Sequence, residues 1–451
     1  MEAEKQLEGA VLPSLFCFSE LSSSFSGSSR TVEDSHNLES SLLMSSPLGI
    51  YVHIPFCSTK CDYCNFASGV YPDSMVLPYL TALREEILGV KRLLVEFGEA
   101  SLPLSDFEVD SVYFGGGTPS LIDAEHIAGL LRLVGEVFAI SAKPEVTLEV
   151  NPGSVNPQRV QQHVAAGVNR ISMGMQTFQD EMLKRIGRSH SVADSFATWS
   201  LYRAAGIRNA SLDLIAGLPG QSLTDWQENL QAVETIAPEH ISMYLLEIHE
   251  STRFGTIYGK ANGVPQLTGA TGGSAGDVPR IIPLPDEDLV TEFYQIAATR
   301  FGELGYRQYE ISNFALPERQ SRHNLKYWTN QPFIGFGCGA YSYFAGRRWG
   351  NERSVGGYIE RIHARQHAID YHSRLSDVEH EEEALFLGLR LTDGIPLAEF
   401  RTRFGFDLRE RYQRQIAHLS DAGLVELATD RFRLTPRGWM LSNEVFTELL
   451  R

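Results

Sequence analysis

The chain is poor in basic charge, in cysteine and in long apolar runs. Its 39 Lys and Arg stand against 56 Asp and Glu, a formal net charge of −17. A balance of that sign repels phosphate backbones and excludes broad nucleic-acid binding. Apolar runs such as Leu42-Leu43-Met44 and Leu212 to Leu218 fall far short of the ~20 residues a bilayer needs, so no transmembrane span is expected. A basic start is missing too. Glu2, Glu4 and Glu8 open the chain, which excludes an ordinary signal peptide. The serines at 22, 23, 24, 26, 28 and 29 resemble a transit peptide, but the early acids and scarce arginine argue for a disordered tail. Five cysteines is an odd number in 451 residues. Three of them crowd between Cys57 and Cys64, where a disulfide framework would spread them out. The expected setting is a reducing cytosol, hence a cytoplasmic protein.

What is present is an ordinary globular composition, 43% hydrophobic, long enough for more than one domain. Residues 1–47 read as a disordered, serine-rich extension. From Gly49 onward strands and helices alternate through residues 48–258. Strands are expected at Gly49 to Ile54, Val109 to Phe114, Val146 to Val150, Arg170 to Met173, Ala210 to Ile215 and His240 to Leu245. Helices are expected between them, among others at Ala124 to Phe138, Pro157 to Ala166 and Leu223 to Ile236. This order predicts an α/β fold with a parallel sheet, open or closed as a partial barrel. Ligands should gather at the C-terminal ends of its strands. Residues 259–285 contain Gly269, Gly272, Gly273 and Gly276 and read as a flexible insertion. Residues 286–375 complete the barrel region, with a helix at Asp286 to Leu304 and an aromatic, glycine-rich stretch from Tyr306 to Gly350. Residues 376–451 read as helix, helix and a small hairpin, a winged-helix-like α+β end domain. Acids outnumber bases there, which favours packing or a protein partner over DNA.

The chemistry concentrates at Cys57-Ser58-Thr59-Lys60-Cys61-Asp62-Tyr63-Cys64, a C-x3-C-x2-C loop after the first strand. Three thiolates on one short loop can each hold one iron of a cubane. The fourth iron is then open to an amino acid's amine and carboxylate. Zinc is a second reading, with His53 or Cys338 as fourth ligand. Three structural thiols is a third.

The loop resembles the signature of the radical S-adenosylmethionine (SAM) superfamily. That resemblance implies a partial (β/α)6 barrel, a 4Fe–4S cluster on Cys57, Cys61 and Cys64, and SAM as cofactors. Further segments narrow it: Tyr51 to Cys57, Gly115-Gly116-Gly117-Thr118-Pro119, Met173-Gly174-Met175-Gln176 and Asp213 to Gly220. Together they are similar to the group of anaerobic coproporphyrinogen III oxidase and its close relative, the radical SAM haem chaperone. On matching motifs, the resemblance implies that Tyr51, Gly116 and Glu149 contact the cluster-bound SAM. It implies that Tyr63, Gly117, Thr118, Gln176, Arg188 and Asp213 surround a second SAM. Asp213 lies in an apolar strand and needs a partner; Arg188 is one option, or else Arg188 clamps a SAM carboxylate.

Two functions from different classes remain. One is oxidative decarboxylation of coproporphyrinogen III in porphyrin biosynthesis. The other is haem binding and transfer to apo-haemoproteins, membrane respiratory proteins among them. The oxidase pattern carries one more cysteine, and Phe66 stands at that position. Arg322 to Trp328 contains the HNxxYW pattern of the haem chaperones, on His323, Asn324, Tyr327 and Trp328. On a helix His323 and Tyr327 share a face. An imidazole or phenolate can ligate haem iron, and an indole offers a flat apolar contact. His323 is thus the candidate axial ligand. The resemblance also implies a homodimer supported by the cluster. Cys338 reads as a small buried residue, and Cys17 has no assigned role.

Overall fold

The computed structural model describes residues 46–99, 104–259, 281–365 and 367–450. Nearly all of the serine-rich extension, Cys17 and most of the glycine-rich insertion lie outside the described residues.

Six strands run parallel in chain order: β1 (Ser46–Ile54), β2 (Phe107–Gly116), β3 (Ala139–Val150), β4 (Arg170–Gln176), β5 (Ala210–Ala216) and β6 (His240–Leu245). Helices Val76–Glu96, Ala124–Val137, Pro157–Ala165, Val192–Ala204 and Leu223–Ile236 cover them. Side-chain caps fix several helix starts. Asn156 accepts from Arg159 N, while Ser191 with Asp194 and Ser222 with Asp225 form capping boxes. The strands show why the helices stay attached. In β4, Ile171, Met173 and Met175 are fully buried against the helical layer. Their neighbours Arg170, Ser172, Gly174 and Gln176 point to the other face, where a cavity lies. Flat strands ~4.8 Å apart could not all border one cavity. Residues of β2, β3, β4, β5 and β6 do border one, so the sheet curls around it.

Six further strands lie where no strands were expected. β7 (Arg307–Glu310) and β8 (Asn313–Ala315) form a hairpin whose second strand pairs antiparallel with β6. β9 (Phe333–Phe336) pairs in parallel with β1 on its other edge. β10 (Tyr341–Phe344), β11 (Arg347–Asn351) and β12 (Ile369–Arg374) extend that edge antiparallel. The result is one mixed sheet of twelve strands.

The end region has its own core of Leu385, Leu389, Phe400, Leu408, Ile416, Phe432 and Val445, among others. Helix Asp377–Arg390 starts on a Ser376–Glu379 capping box. The expected hairpin is present as β14 (Val425–Leu427) and β15 (Arg431–Leu434). A two-residue strand, β13 (Ile395–Pro396), was not foreseen and pairs with β15. The second expected helix is split into Leu408–Arg411 and Gln413–Asp421 on either side of Tyr412. Arg390 ties this region to the barrel: its guanidinium lies 4.5 Å over the Trp328 ring, and its carbonyl accepts from Ile311 N at 3.1 Å.

Candidate functional site

The cavity opens at the C-terminal ends of the parallel strands and has a volume of about 200 Å³. The cysteine loop forms one wall. Cys57, Cys61 and Cys64 all border the cavity and are free thiols. The loop is braced at its exit. Cys57 N donates to Gly69 O and Gly69 N to Pro55 O, both at 2.9 Å. Donors also face the sulfurs. Lys60 Nζ lies 3.4 Å from Cys64 Sγ, and the hydroxyls of Thr118 and Ser68 bond Cys57. Burial, partly offset by these hydroxyls, raises the Cys57 thiol in this state. Among the described residues no three His, Cys, Asp or Glu side chains gather tightly enough to hold a single metal ion. Three soft thiolates on one loop, each able to take one iron, are the donor set of a cubane. The fourth zinc ligands considered from sequence are both taken. His53 Nδ1 bonds Tyr51 OH at 3.1 Å and its Nε2 bonds Ala67 O at 2.9 Å. Cys338 is wholly buried, and burial pushes its thiol up to about 12.

The glycine loop after β2 forms the next wall. Gly116 has φ +113°, and its N–H donates to Glu149 Oε2 at 2.9 Å. A methyl group there would strike the His53 ring, so only glycine lets strand and ring approach. Tyr113 OH donates to the other Glu149 oxygen at 3.0 Å. Burial still raises the Glu149 carboxyl to about 7, with Asp213 adding repulsion. Opposite, Arg188 donates to Asn151 Oδ1 at 2.8 Å and to Tyr63 OH at 3.2 Å. It lies so close to Gly174 that a Cβ there would sit 2.9 Å from Nη2. Gln176 takes φ +66° at the β4 bulge, a strained setting for a non-glycine residue.

Asp213 does not pair directly with Arg188, contrary to one sequence expectation. Its carboxyl accepts from Ser172 Oγ at 3.1 Å and from Ser242. Hydroxyls on flanking strands are nearer than a guanidinium held by Asn151 and Tyr63. Burial raises Asp213 to about 6.

Of the residues singled out for SAM, Tyr63, Gly116, Gly117, Glu149, Gln176, Arg188 and Asp213 border the cavity. Tyr51 and Thr118 stand behind its wall. Tyr51 bonds His53, and Thr118 Oγ1 accepts from Asn151 Nδ2 at 2.8 Å. The structure adds Asn151, Arg170, Ser172, Ser242, Tyr244, Glu247 and His249 to the lining. The signal for Arg170 and Ser172 was available in the alternation of polar and apolar residues along β4.

The HNxxYW segment forms helix Arg322–Trp328, capped by Ser321 Oγ on Asn324 N. Only Asn324 of its four marked residues reaches the cavity. His323 is 1% exposed. Its Nδ1 bonds Ser111 Oγ at 3.1 Å and its Nε2 bonds Tyr327 OH at 2.9 Å. Burial, with Lys326 and Arg170 nearby, lowers its pKa to about 3. Trp328 is buried beneath Arg390.

Residues 51–233 match the radical SAM superfamily, and residues 375–441 match the HemN C-terminal domain. Fold and cavity thus define a radical SAM protein, a superfamily whose membership implies SAM and a 4Fe–4S cluster. The chain is 32% identical to the "Heme chaperone HemW" of Bacillus subtilis (strain 168), over 89% of this chain and 98% of that protein. It is 34% identical to the "Radical S-adenosyl methionine domain-containing protein 1, mitochondrial" of Mus musculus, over 77% of this chain and 74% of that protein. The coproporphyrinogen III oxidase HemN of Escherichia coli superposes with a TM-score of 0.74 at 20% identity, over 90% of each chain; it shows the shared fold. The chain belongs to the HemW family.

Proposed function

We propose that this protein binds haem and passes it to apo-haemoproteins, on a scaffold that carries one 4Fe–4S cluster and SAM. The observation that carries this reading is the likeness, along almost the whole length, to proteins named haem chaperones. Phe66 supports it against coproporphyrinogen decarboxylation. It borders the cavity, half exposed, where the oxidase pattern has a cysteine.

Cys57, Cys61 and Cys64 would hold the cluster. Bound together, cluster and SAM supply one-electron reductive chemistry. The chain's own groups would orient SAM. The Glu149 carboxylate, fixed by Gly116 N and Tyr113 OH, would accept from an amine or ribose hydroxyl. Arg188, Gln176, Tyr63, Gly117 and Asp213 would line the remaining contact surface, with Tyr51 and Thr118 supporting from behind. Helix Arg322–Trp328 would be the haem motif. His323 would ligate iron through one ring nitrogen, exchanging the bond of Nε2 to Tyr327 for the metal while Nδ1 keeps Ser111. Asn324 already stands at the cavity, while Tyr327 and Trp328 would line the macrocycle.

No helix among the described residues is long and apolar enough to cross a membrane. We place the protein in a reducing compartment, the cytoplasm, because its three clustered thiols must stay free for iron. Fractionation of the full chain tests this. The acceptors would include membrane respiratory haem proteins, and a homodimer would form around the cluster-bearing face.

One experiment separates the two functions. The reconstituted protein is incubated anaerobically with SAM, a reductant and coproporphyrinogen III, and titrated in parallel with haem. Saturable haem binding near one per chain without decarboxylated product is expected. Product over many turnovers would make it an oxidase.

A further inference from the structure

Most closed β/α barrels fill their interior with layers of bulky apolar side chains. Here the lower interior layers are small and polar. Ser111, Ser172, Ser211 and Ser242 occupy them, each 6% exposed or less. Their hydroxyls bond His323, Asp213, His240 and one another. The cavity therefore reaches down to the first residue of β4, Arg170.

Arg170 is 1% exposed, yet its donors are poorly met. Among the described residues its one hydrogen bond runs from Nη1 to Thr147 Oγ1, at a long 3.5 Å. Its Nε has no hydrogen-bond partner among them. Glu145 Oε2 stands 4.0 Å from that nitrogen, near enough to offset the charge but beyond hydrogen-bond length. The other Glu145 oxygen accepts from His323 N at 3.3 Å. Asp213 is held by Ser172 and Ser242 instead. A guanidinium carries five donors in a fork that matches a carboxylate. Leaving such donors unmet in a buried site is costly, and a ligand acceptor would remove that cost. Above Arg170 the cavity wall includes an apolar and aromatic part, with Ile215, Leu245, Leu246, Tyr113 and Tyr244, beside the acids Glu149 and Asp213.

We infer that Arg170 anchors a carboxylate of the cavity's ligand at the floor of the barrel, below the SAM-facing layer. The inference rests on the haem-carrying reading in one respect, that the carboxylate is a tetrapyrrole propionate. The same chemistry could come from the α-carboxylate of the second SAM, that of the first being committed to the open iron. In either case the fork takes the acid group while the apolar wall takes the body of the ligand.

The test uses the full chain with its cluster reconstituted. Haem, haem dimethyl ester and SAM are titrated into wild type, Arg170→Gln and Arg170→Lys, with iron content and circular dichroism as controls. A charge-assisted hydrogen bond is worth ~1.5–3 kcal/mol, about 10- to 100-fold in affinity. Wild type should prefer haem to its ester by that factor. Arg170→Gln should erase the preference and Arg170→Lys should keep part of it. If the loss falls on SAM alone, the carboxylate is that of SAM. If wild type binds no haem, the haem-carrying reading fails while the SAM arm still tests Arg170. Equal affinity of wild type for haem and ester, with SAM affinity unchanged in Arg170→Lys, overturns the assignment without relying on the glutamine variant folding.

Discussion

The imidazole of His323 stacks on the ring of Tyr113, centroids 5.2 Å apart and planes 30° off parallel. The Tyr113 hydroxyl in turn holds Glu149 at the cavity wall. One tyrosine thus joins the haem motif to the carboxylate proposed for SAM. Removing the imidazole takes one partner from each of the Ser111 and Tyr327 hydroxyls and leaves a hole. His323→Ala should cost about 2–4 kcal/mol in urea unfolding and weaken haem binding. If the haem spectrum and affinity are unchanged in that variant, His323 is not the ligand.

The cysteine loop gives a second expectation. Cys61→Ala removes one of three thiolates, and among the described residues no other cysteine borders the cavity. Anaerobic reconstitution should then fail to give the broad brown absorbance of a 4Fe–4S cluster. Stoichiometric iron and sulfide in the variant would sink the cluster assignment.

The buried carboxyls set a pH dependence. Burial raises Glu149 from 4.5 to about 7. Between those values the folded state binds a proton that the unfolded state has lost. Stability of the cofactor-free protein should therefore fall as pH rises from about 4.5 to about 7. Glu149→Gln should flatten that decline in unfolding curves taken across the range. SAM affinity should run the other way, rising as Glu149 ionises. An identical pH profile in wild type and variant would show that Glu149 does not titrate there.

Gly174 offers a test of the Arg188 arrangement. A methyl group at 174 would lie 2.8 Å from Gln176 Nε2 and 2.9 Å from Arg188 Nη2. Both are the far ends of flexible side chains, so Gly174→Ala should fold. Its SAM affinity should drop about 10-fold or more, the worth of one displaced charged contact. An undiminished affinity by equilibrium dialysis would remove Arg188 from the SAM contacts.

The sequence made some of this plain and hid the rest, for physical reasons. Strands β1 to β6 announce themselves because each is an apolar run bounded by turn residues, with a helix between. β9 to β12 are short; β9 is a strand only through its long-range pairing with β1, and β10, β11 and β12 are added outward from it. The cysteine loop is legible because its three ligands are local in the chain. Asp213 needed a partner, and chemistry suggested Arg188. The choice of Ser172 and Ser242 depends on inter-strand register, which spacing does not reveal. The HNxxYW segment did place His323 and Tyr327 on one face of a helix, with 2.9 Å between their polar atoms. That the face turns into the barrel base follows from Ser111, a residue of a strand made long before.

Strand β1, which leads into the cluster loop, has two neighbours of very different age. β2 follows it early, but β9 begins at Phe333. A ribosome releases the chain from its N-terminus, so one edge of β1 stays unpaired until most of the protein has been made. Gly337 and Cys338, which pack against His53 and Ala67 beside the loop, arrive just as late. Iron loading into a finished pocket would then be a post-translational event, and a nascent or truncated chain would present its thiols unframed to solvent and oxidant.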